Sequence, residues 1–329
     1  MSLSRPGVRL TVDGRTLTAA EAALVAVTVS LGPSGAHDPA EVMVWPSSRL
    51  AGTAPGARLS IALGPQGDEE DVWSGEVTGV AAGADGVVLD GLAATVALSR
   101  QRVSQTFLDR SLADVVRDLA AAAGAEIDEV QGDTRLPAYA IDDRRPVWEH
   151  LADLARLFGA DLGASPAGAL RFVPARSGIA DWTLRFGADL LAWSGGAGKA
   201  PEAPAVAAHG AASEAGAEQW HWLLRSPAAA GAGSSAPLRI PGVVRTQDAA
   251  AAAGRALAQR AARAAWAGRF ETTGRPAVRP GDLVAVAGLP AGDPGTLRVR
   301  SVAHRLDGRH GFRTTLNVEA AAAAGEALP

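Results

Sequence analysis

Four clusters along the chain hold residue types that can do chemistry. Gly195-Gly196-Ala197-Gly198-Lys199 has the look of a loop that cradles phosphate. That motif needs glycine at 193, where Trp193 stands, and Ser or Thr at 200, where Ala200 stands. A plain flexible loop is the expectation there. His304 and His310 flank Asp307. Zinc needs at least three protein ligands, and no third one stands out, so a polar hairpin loop is expected instead. His209, His221 and His150 are isolated, and His150 falls on the polar side of a helix. Asp68-Glu69-Glu70-Asp71 are consecutive, whereas a calcium loop spaces its oxygen ligands. They read as a charged hairpin tip that keeps a strand edge from pairing. Asp142-Asp143-Arg144-Arg145 precede a helix, where capping and ion pairing account for them. There is no Gly-x-Ser-x-Gly elbow. The eight tryptophans are scattered and read as core or interface anchors rather than a sugar platform. No catalytic, metal or cofactor-binding residue is expected, and no cofactor.

The elements that carry these clusters alternate in character. Val8, Leu10 and Val12 alternate with polar residues, as do Val25 to Leu31 and Leu59 to Leu63. Together with Val42 to Val44, Val72 to Val80 and Val87 to Leu89, they make about six short strands, bounded by Gly and Pro turns. That spacing is the mark of an antiparallel barrel or sandwich. Ser111 and Asp114 then form a capping box before a helix with Leu112, Val115, Val116 and Leu119 on one face, stopped by Gly124. A second helix starts near Pro146, carries Trp148, Leu151, Leu154, Ala155 and Phe158 on one face, and ends at Gly159. Leu170 to Val173 reads as a strand. Trp182, Leu184 and Phe186 alternate again, and Trp220 to Leu224 is a further strand candidate. Lys199 to Gly216 reads as loop, Ala228 to Ser235 as a flexible link, and Asp248 to Trp266 as a helix. The stretch Arg275 to Glu319 closes the chain with three more strands between dense turn signals.

Composition narrows the function classes. The 329 residues are 47% hydrophobic, enough for more than one core. The net charge of −4 argues against bulk electrostatic binding of nucleic acid, so no nucleic-acid sequence recognition is expected. There is no cysteine, which excludes disulfides, thiolate catalysis and Cys-based zinc sites. No stretch is long and apolar enough to span a membrane as a helix, and the first residues show no signal-peptide pattern.

Pro55-Gly56-Ala57-Arg58-Leu59-Ser60-Ile61 with Val72-Trp73-Ser74-Gly75-Glu76-Val77, then Phe107 to Val116, then Pro146 to Ala160 follow one another along the chain. Arg279 to Val284, Val302 to Leu306 and Gly311 to Leu316 close it. In these stretches and their order the chain resembles the phage late control protein D family, the baseplate hubs of contractile tails. The resemblance extends to the N-terminal part of the valine-glycine repeat spike proteins of type VI secretion, to which that family is related. It implies an α+β, mainly β fold: two tube-like antiparallel β-barrel domains with an inserted small α/β domain. The limits would be 1–100 for the first barrel, 101–175 for the α/β domain and 176–329 for the second barrel. The second barrel would be interrupted by a loop-rich insertion at about 199–245 and a helix at about 248–266.

The same resemblance implies a structural role without enzymatic activity. A homotrimer would present six quasi-equivalent barrels to a hexameric inner tube protein, receive a separate spike protein on its threefold face, and contact baseplate wedge proteins. It would be assembled in the bacterial cytoplasm as part of a phage tail or injection particle. Candidate interface residues are Asp68, Glu69, Glu70 and Asp71, with Asp307, Arg309 and His310 of the other block. A cell-wall or glycan-binding adhesin is the alternative, and a hydrolase with its site between the β blocks is another.

Overall fold

A computed structural model describes residues 5–32, 37–209, 225–230, 236–240, 242–290 and 292–321. The first block supplies β1 (Pro6–Val12), β2 (Arg15–Thr18), β3 (Leu24–Leu31), β4 (Pro39–Val44), β5 (Arg58–Pro65), β6 (Glu70–Gly83) and β7 (Gly86–Ala93). After a 3-10 turn comes α1 (Ala97–Arg100), and then a mixed unit follows. It consists of β8 (Gln105–Ser111), α2 (Leu112–Ala122), β9 (Ile127–Val130), β10 (Arg135–Ile141), α3 (Val147–Phe158), β11 (Ala160–Ala164) and β12 (Leu170–Pro174). The last block comprises β13 (Trp182–Arg185), β14 (Leu190–Ala197), β15 (Val206–His209), β16 (Arg225–Ala230) and α4 (Gln247–Arg263). It ends with β17 (Trp266–Thr273), β18 (Leu283–Ala287), β19 (Thr296–Asp307) and β20 (Gly311–Ala320). The class is α+β and mainly β. No helix among the described residues is long and apolar enough to cross a membrane.

Both β blocks belong to one sheet of 13 strands, which follows the path β14-β17-β20-β19-β3-β4-β7-β6-β5-β1-β2. β18 pairs with β19, and β13 pairs with β18. The path is open at both ends among the described residues. It folds over on itself, so that a single core runs through both blocks. That core includes Leu10, Ile61, Trp73 and Leu89 from the first block and Phe270, Val284, Val299 and Leu316 from the second. The alternation in β20 is the cause: Thr314, Leu316, Val318 and Ala320 are buried while their neighbours are less covered. The Trp73 indole lies inside the first block and satisfies its N–H on the Asp38 carbonyl at 3.0 Å.

The mixed unit has its own core. The Ser111 hydroxyl caps α2 by accepting from the Asp114 N–H at 3.1 Å, as the sequence predicts. Gly124 stops that helix with φ +65°, and Gly159 ends α3 in the left-handed conformation at φ +70°. Leu119, Leu136, Leu151 and Phe172 meet between the helices and the short strands. Gly159 has a second reason to be glycine: a Cβ there would lie 2.9 Å from the Cβ of Ala256 on α4. The alanine face of α4 lets it approach this closely, and it forms a third core with Leu157 and Val206.

Several expectations change. Lys199 to Gly216 is not all loop, since β15 lies within it and pairs with β16. β16 in turn takes the start of the expected flexible link at Ala228. The strand candidate Trp220 to Leu224, and His221 with it, lies outside the described residues. α4 stops at Arg263, and Trp266 opens β17 rather than ending the helix. Helix propensity runs on through the alanines, but Trp266 is drawn into the sheet by burial against Phe270, with ring centroids 6.1 Å apart. His150 is not on a polar face: it is buried, with Nε2 3.2 Å from the Asp142 carbonyl oxygen. Its apolar body fills the α3 face while its nitrogen finds a backbone partner.

Ile61 and Phe270 are fully buried, one in each block. Truncating either leaves a cavity in the shared core. Ile61→Ala and Phe270→Ala should each lower unfolding free energy by about 2–5 kcal/mol in urea denaturation.

Candidate assembly interface

The two blocks repeat one topology. In the first, the strand path is β3-β4-β7-β6-β5, and in the second it is β14-β17-β20-β19-β18. Taken in chain order, the five strands of each set occupy the same places. Local irregularities repeat as well. The β6–β7 ladder slips between Val77 and Gly79, and the β19–β20 ladder slips between Val299 and Ser301. The β3–β4 ladder slips between Leu24 and Ala26, and the β14–β17 ladder between Leu190 and Ala192. The Pro-Gly turns before β5 and β18 match too: Gly56 and Gly281 both have φ +94°, a conformation that favours glycine.

The blocks join at one seam. β3 lies antiparallel to the second half of β19, from Leu31 opposite Val302 to Ala26 opposite Asp307. By the repeat, β14 corresponds to β3, and the second half of β6 corresponds to that half of β19. Among the described residues neither has a strand paired to the corresponding edge. β14 has β17 on one side and no second strand among the described residues. Beyond Val77, β6 keeps only β7 as a strand neighbour among the described residues, and residues 78–83 are largely exposed. Exposed Phe186 and Leu191 flank the turn that leads into β14. Two unpaired strand edges of matched origin can pair with other chains.

The first three residues of the glycine-rich run that suggested phosphate, Gly195 to Ala197, lie in β14. Gly195 sits opposite Gly268, and the ring of Trp266 lies across both: a Cβ at Gly195 would come 2.6 Å from Trp266 Cη2. Gly195 and Gly268 make room for an indole, and Gly195 to Ala197 are strand rather than flexible loop, while Gly198 and Lys199 lie beyond the strand end.

The expected interface residues occupy two separated turns. Arg9 pairs with Asp71 at 3.4 Å, the Glu69 carboxylate accepts from the Gly67 N–H, and Glu70 and Asp71 already belong to β6. Asp307 organises the β19–β20 turn. It accepts from Arg305 at 2.8 Å and from the N–H groups of Arg309 and His310 at 3.0 and 2.7 Å. These donors hold its carboxyl well below the usual carboxylate range. His310 lies 3.1 Å from Asp307, whereas His304 is buried inside β19 with Nδ1 3.0 Å from the Thr314 hydroxyl. The two imidazoles do not converge. Among the described residues no three His, Asp or Glu side chains are placed to hold a metal ion.

Sequence reasoning passed over the seam between the first block and the mixed unit. The His37 ring packs on Trp148 of α3, centroids 4.3 Å apart, and touches Thr95 and Ser99. Next to it, buried Asp38 accepts from the Gly32 N–H at 2.8 Å. Burial pushes His37 down to about 4 and Asp38 up to about 6. No periodic pattern marks either residue, because the seam forms between elements far apart in the chain.

The fold is one found in phage tail proteins. A 43 kDa tail protein of prophage MuSo2 from Shewanella oneidensis superposes with a TM-score of 0.68 at 17% identity, covering 95% of this chain and 98% of that one. A tail protein from Neisseria meningitidis MC58 gives 0.70 at 14% identity, with 96% of each chain covered. An E. coli component of the type VI secretion system, described as similar to T4 bacteriophage tail proteins, gives 0.59 at 10% identity over 92% of this chain and 74% of that one. No family model matches the sequence, and neither does any curated protein. The likeness is in fold, and it agrees with the resemblance drawn from the motifs.

Burial also pushes His304 down to about 3, so it stays neutral in the folded protein where an unfolded histidine takes up a proton near 6.5. A depressed histidine stabilises above its unfolded value and withdraws that contribution as pH falls towards its folded one. His37 acts in the same sense. Asp38 acts in the opposite one, its contribution falling as pH rises from about 4 to 6. Melting temperature should therefore fall less between pH 6.5 and pH 4 in His304→Gln than in the unmodified chain. Parallel curves would contradict the assignment.

Proposed function

We propose that the chain is a structural hub protein of a contractile tail or injection particle, in which three copies close a ring of six β units around a channel. The observation that carries this reading is the repeated strand order with its repeated ladder slips. One chain then offers two equivalent units, the first spanning about 1–100 and the second 176–329, with the α/β unit 101–175 inserted between them. Three chains match a sixfold tube on one face and a threefold spike on the other. The channel needs no chemistry, so catalysis is not part of the role. On this reading the particle assembles in the bacterial cytoplasm, and its partners are an inner tube protein, a separate spike protein and baseplate wedge proteins. The solved structures of similar fold, described as phage tail proteins and a type VI secretion component, support the assignment.

The repeat also supplies a register for the contact between chains. Within one chain β3 pairs with the second half of β19. Between chains, β14 of one copy pairs in the same manner with the second half of β6 of the next. Aligning the ladder slips places Ala197 opposite Val80, Gly196 opposite Ala81, and Gly195 opposite Ala82. Backbone pairing along these edges is the closing interaction, with Phe186 and Leu191 adding apolar burial beside it. The acidic turn Asp68 to Asp71 and the turn carrying Asp307, Arg309 and His310 are the surfaces offered to neighbouring chains or to the tube.

Light scattering of the purified protein should give a trimer, and negative-stain images a ring with a central hole. A monomer at high concentration, without association with tube or spike proteins, contradicts the reading. The chain lacks cysteine, so engineered thiols have no background. A Cβ at Gly196 meets nothing within 4 Å, and Ala81 is exposed. Ala81→Cys combined with Gly196→Cys should yield covalent trimers on non-reducing gels, while either change alone should yield none. A trimer that does not cross-link would rule out this register.

A further inference from the structure

A cleft of about 480 Å³ opens where the mixed unit, α4 and the second β block meet. It does not belong to the free edges described above. Eight arginines line it, against four carboxylates, in a protein of net charge −4. Arg156, Arg171 and Arg176 pair with Asp153, Glu129 and Asp181, which stand outside the lining; the other five arginines outnumber the four carboxylates within it. Glu319 is shared between Arg263 at 3.2 Å and Arg298 at 2.9 Å, and Arg298 also holds Asp161. Arg298 is 6% exposed. Arg279 directs its guanidinium at the carbonyls of Asp71, Pro276 and Val278 rather than at a carboxylate. Arg260 and Arg300 are exposed and have no ion pair among the described residues. Arg260, Arg279 and Arg300 thus bring positive charge to the cleft without a carboxylate bonded to them, Arg279 from its partly buried wall and the other two from its exposed rim.

The wall of the cleft is a strand edge. All five residues of β11 line it, and β11 is the outer strand of the three-stranded sheet β11-β12-β9. The Ser165 N–H bonds to the Ala169 carbonyl, and the Gly159 carbonyl accepts from the Ala175 N–H. In an antiparallel ladder with this register, Asp161 and Gly163 turn their backbone groups towards β12, and Leu162 turns its own away, to the open edge. Asp161 and Gly163 share the cleft face of this sheet with Val173 and Arg171. Apolar Leu31, Val72 and Trp148 also line the space.

We propose that this cleft binds an acidic, extended peptide segment of a partner protein, which adds as a strand to the edge of β11 with its carboxylates on the arginines. The Ala164 N–H is taken by the Asp38 carboxylate, so the edge offers a chain the backbone groups centred on Leu162, and guanidinium groups match carboxylates in planar, two-pronged geometry. The apolar lining accommodates side chains between the acidic ones, a feature that an inorganic anion does not use. The proposal does not depend on the trimer, because every residue in it comes from one chain.

The test is a calorimetric titration of the full chain with the capped hexapeptide Asp-Val-Asp-Val-Asp-Val. Binding should weaken as salt is raised, and an Asn-Val counterpart should not bind. A peptide N-methylated at alternate positions on its pairing edge should bind at least about tenfold more weakly, the equivalent of about 1.4 kcal/mol. The double variant Arg260→Glu with Arg300→Glu should lose a similar factor or more. Both residues are exposed and outside the internal ion pairs, so an unchanged melting temperature and far-UV spectrum would show that the fold is kept. Three results overturn the proposal: no binding of the acidic peptide, equal binding of the N-methylated form, or full displacement by tripolyphosphate at equal concentration. The last would mark a general oxyanion site.

Discussion

The antiparallel contact between β3 and β19 is the constraint on which the rest of the structure depends. Six residue pairs, from Leu31 opposite Val302 to Ala26 opposite Asp307, turn two strand sets into one sheet with one core. Backbone hydrogen bonds set the direction of this contact and the alternating burial of Val27, Val29 and Leu31 sets its register. A slip of one residue would turn these three outward. Because the contact uses β3 and half of β19, the equivalent surfaces on β14 and β6 are left unpaired among the described residues. The free edges follow from the repeat combined with a single internal seam.

The mixed unit is held by different physics. Its core is helix against short strands, and it meets the β blocks through buried polar contacts as well as apolar ones. Arg298 of β19 holds Asp161 of β11, and the Trp148 ring packs at a tilt against His37. Such contacts give little net stability when both partners are desolvated, but they are costly to leave half made, which favours one relative placement. The same convergence concentrates positive charge in the cleft.

Much of the fold was legible in the sequence, for local reasons. Strands buried on one face leave an alternation, as in β5 and β20. The α2 cap and the glycines at 124 and 159 mark helix ends by backbone conformation. β14 was not legible: it is an exposed edge strand, and its Gly195 answers to Trp266, 71 positions further on. β11 is half-buried throughout and shows no alternation. The burial of His150 leaves no mark in the sequence, because a histidine can bury its ring once a carbonyl accepts from it. The candidate turns were found from charge and glycine content, whereas the free edges and the arginine cleft were not. They are defined by what is missing beside a strand, or by residues from distant elements.

The sequence by itself determined the α+β class, the two β blocks, the order of parts and the absence of thiol chemistry. Each depends on short-range periodicity, turn residues or composition. The tertiary structure alone decided that the blocks share a strand path and its irregularities, that one seam joins them, and that arginines from α3, α4, β12 and β19 meet over the edge of β11. The physical reason is that strand pairing runs through backbone groups common to nearly all residues. A sequence can therefore specify where strands lie without stating which edges meet, and only packing of the whole chain selects them.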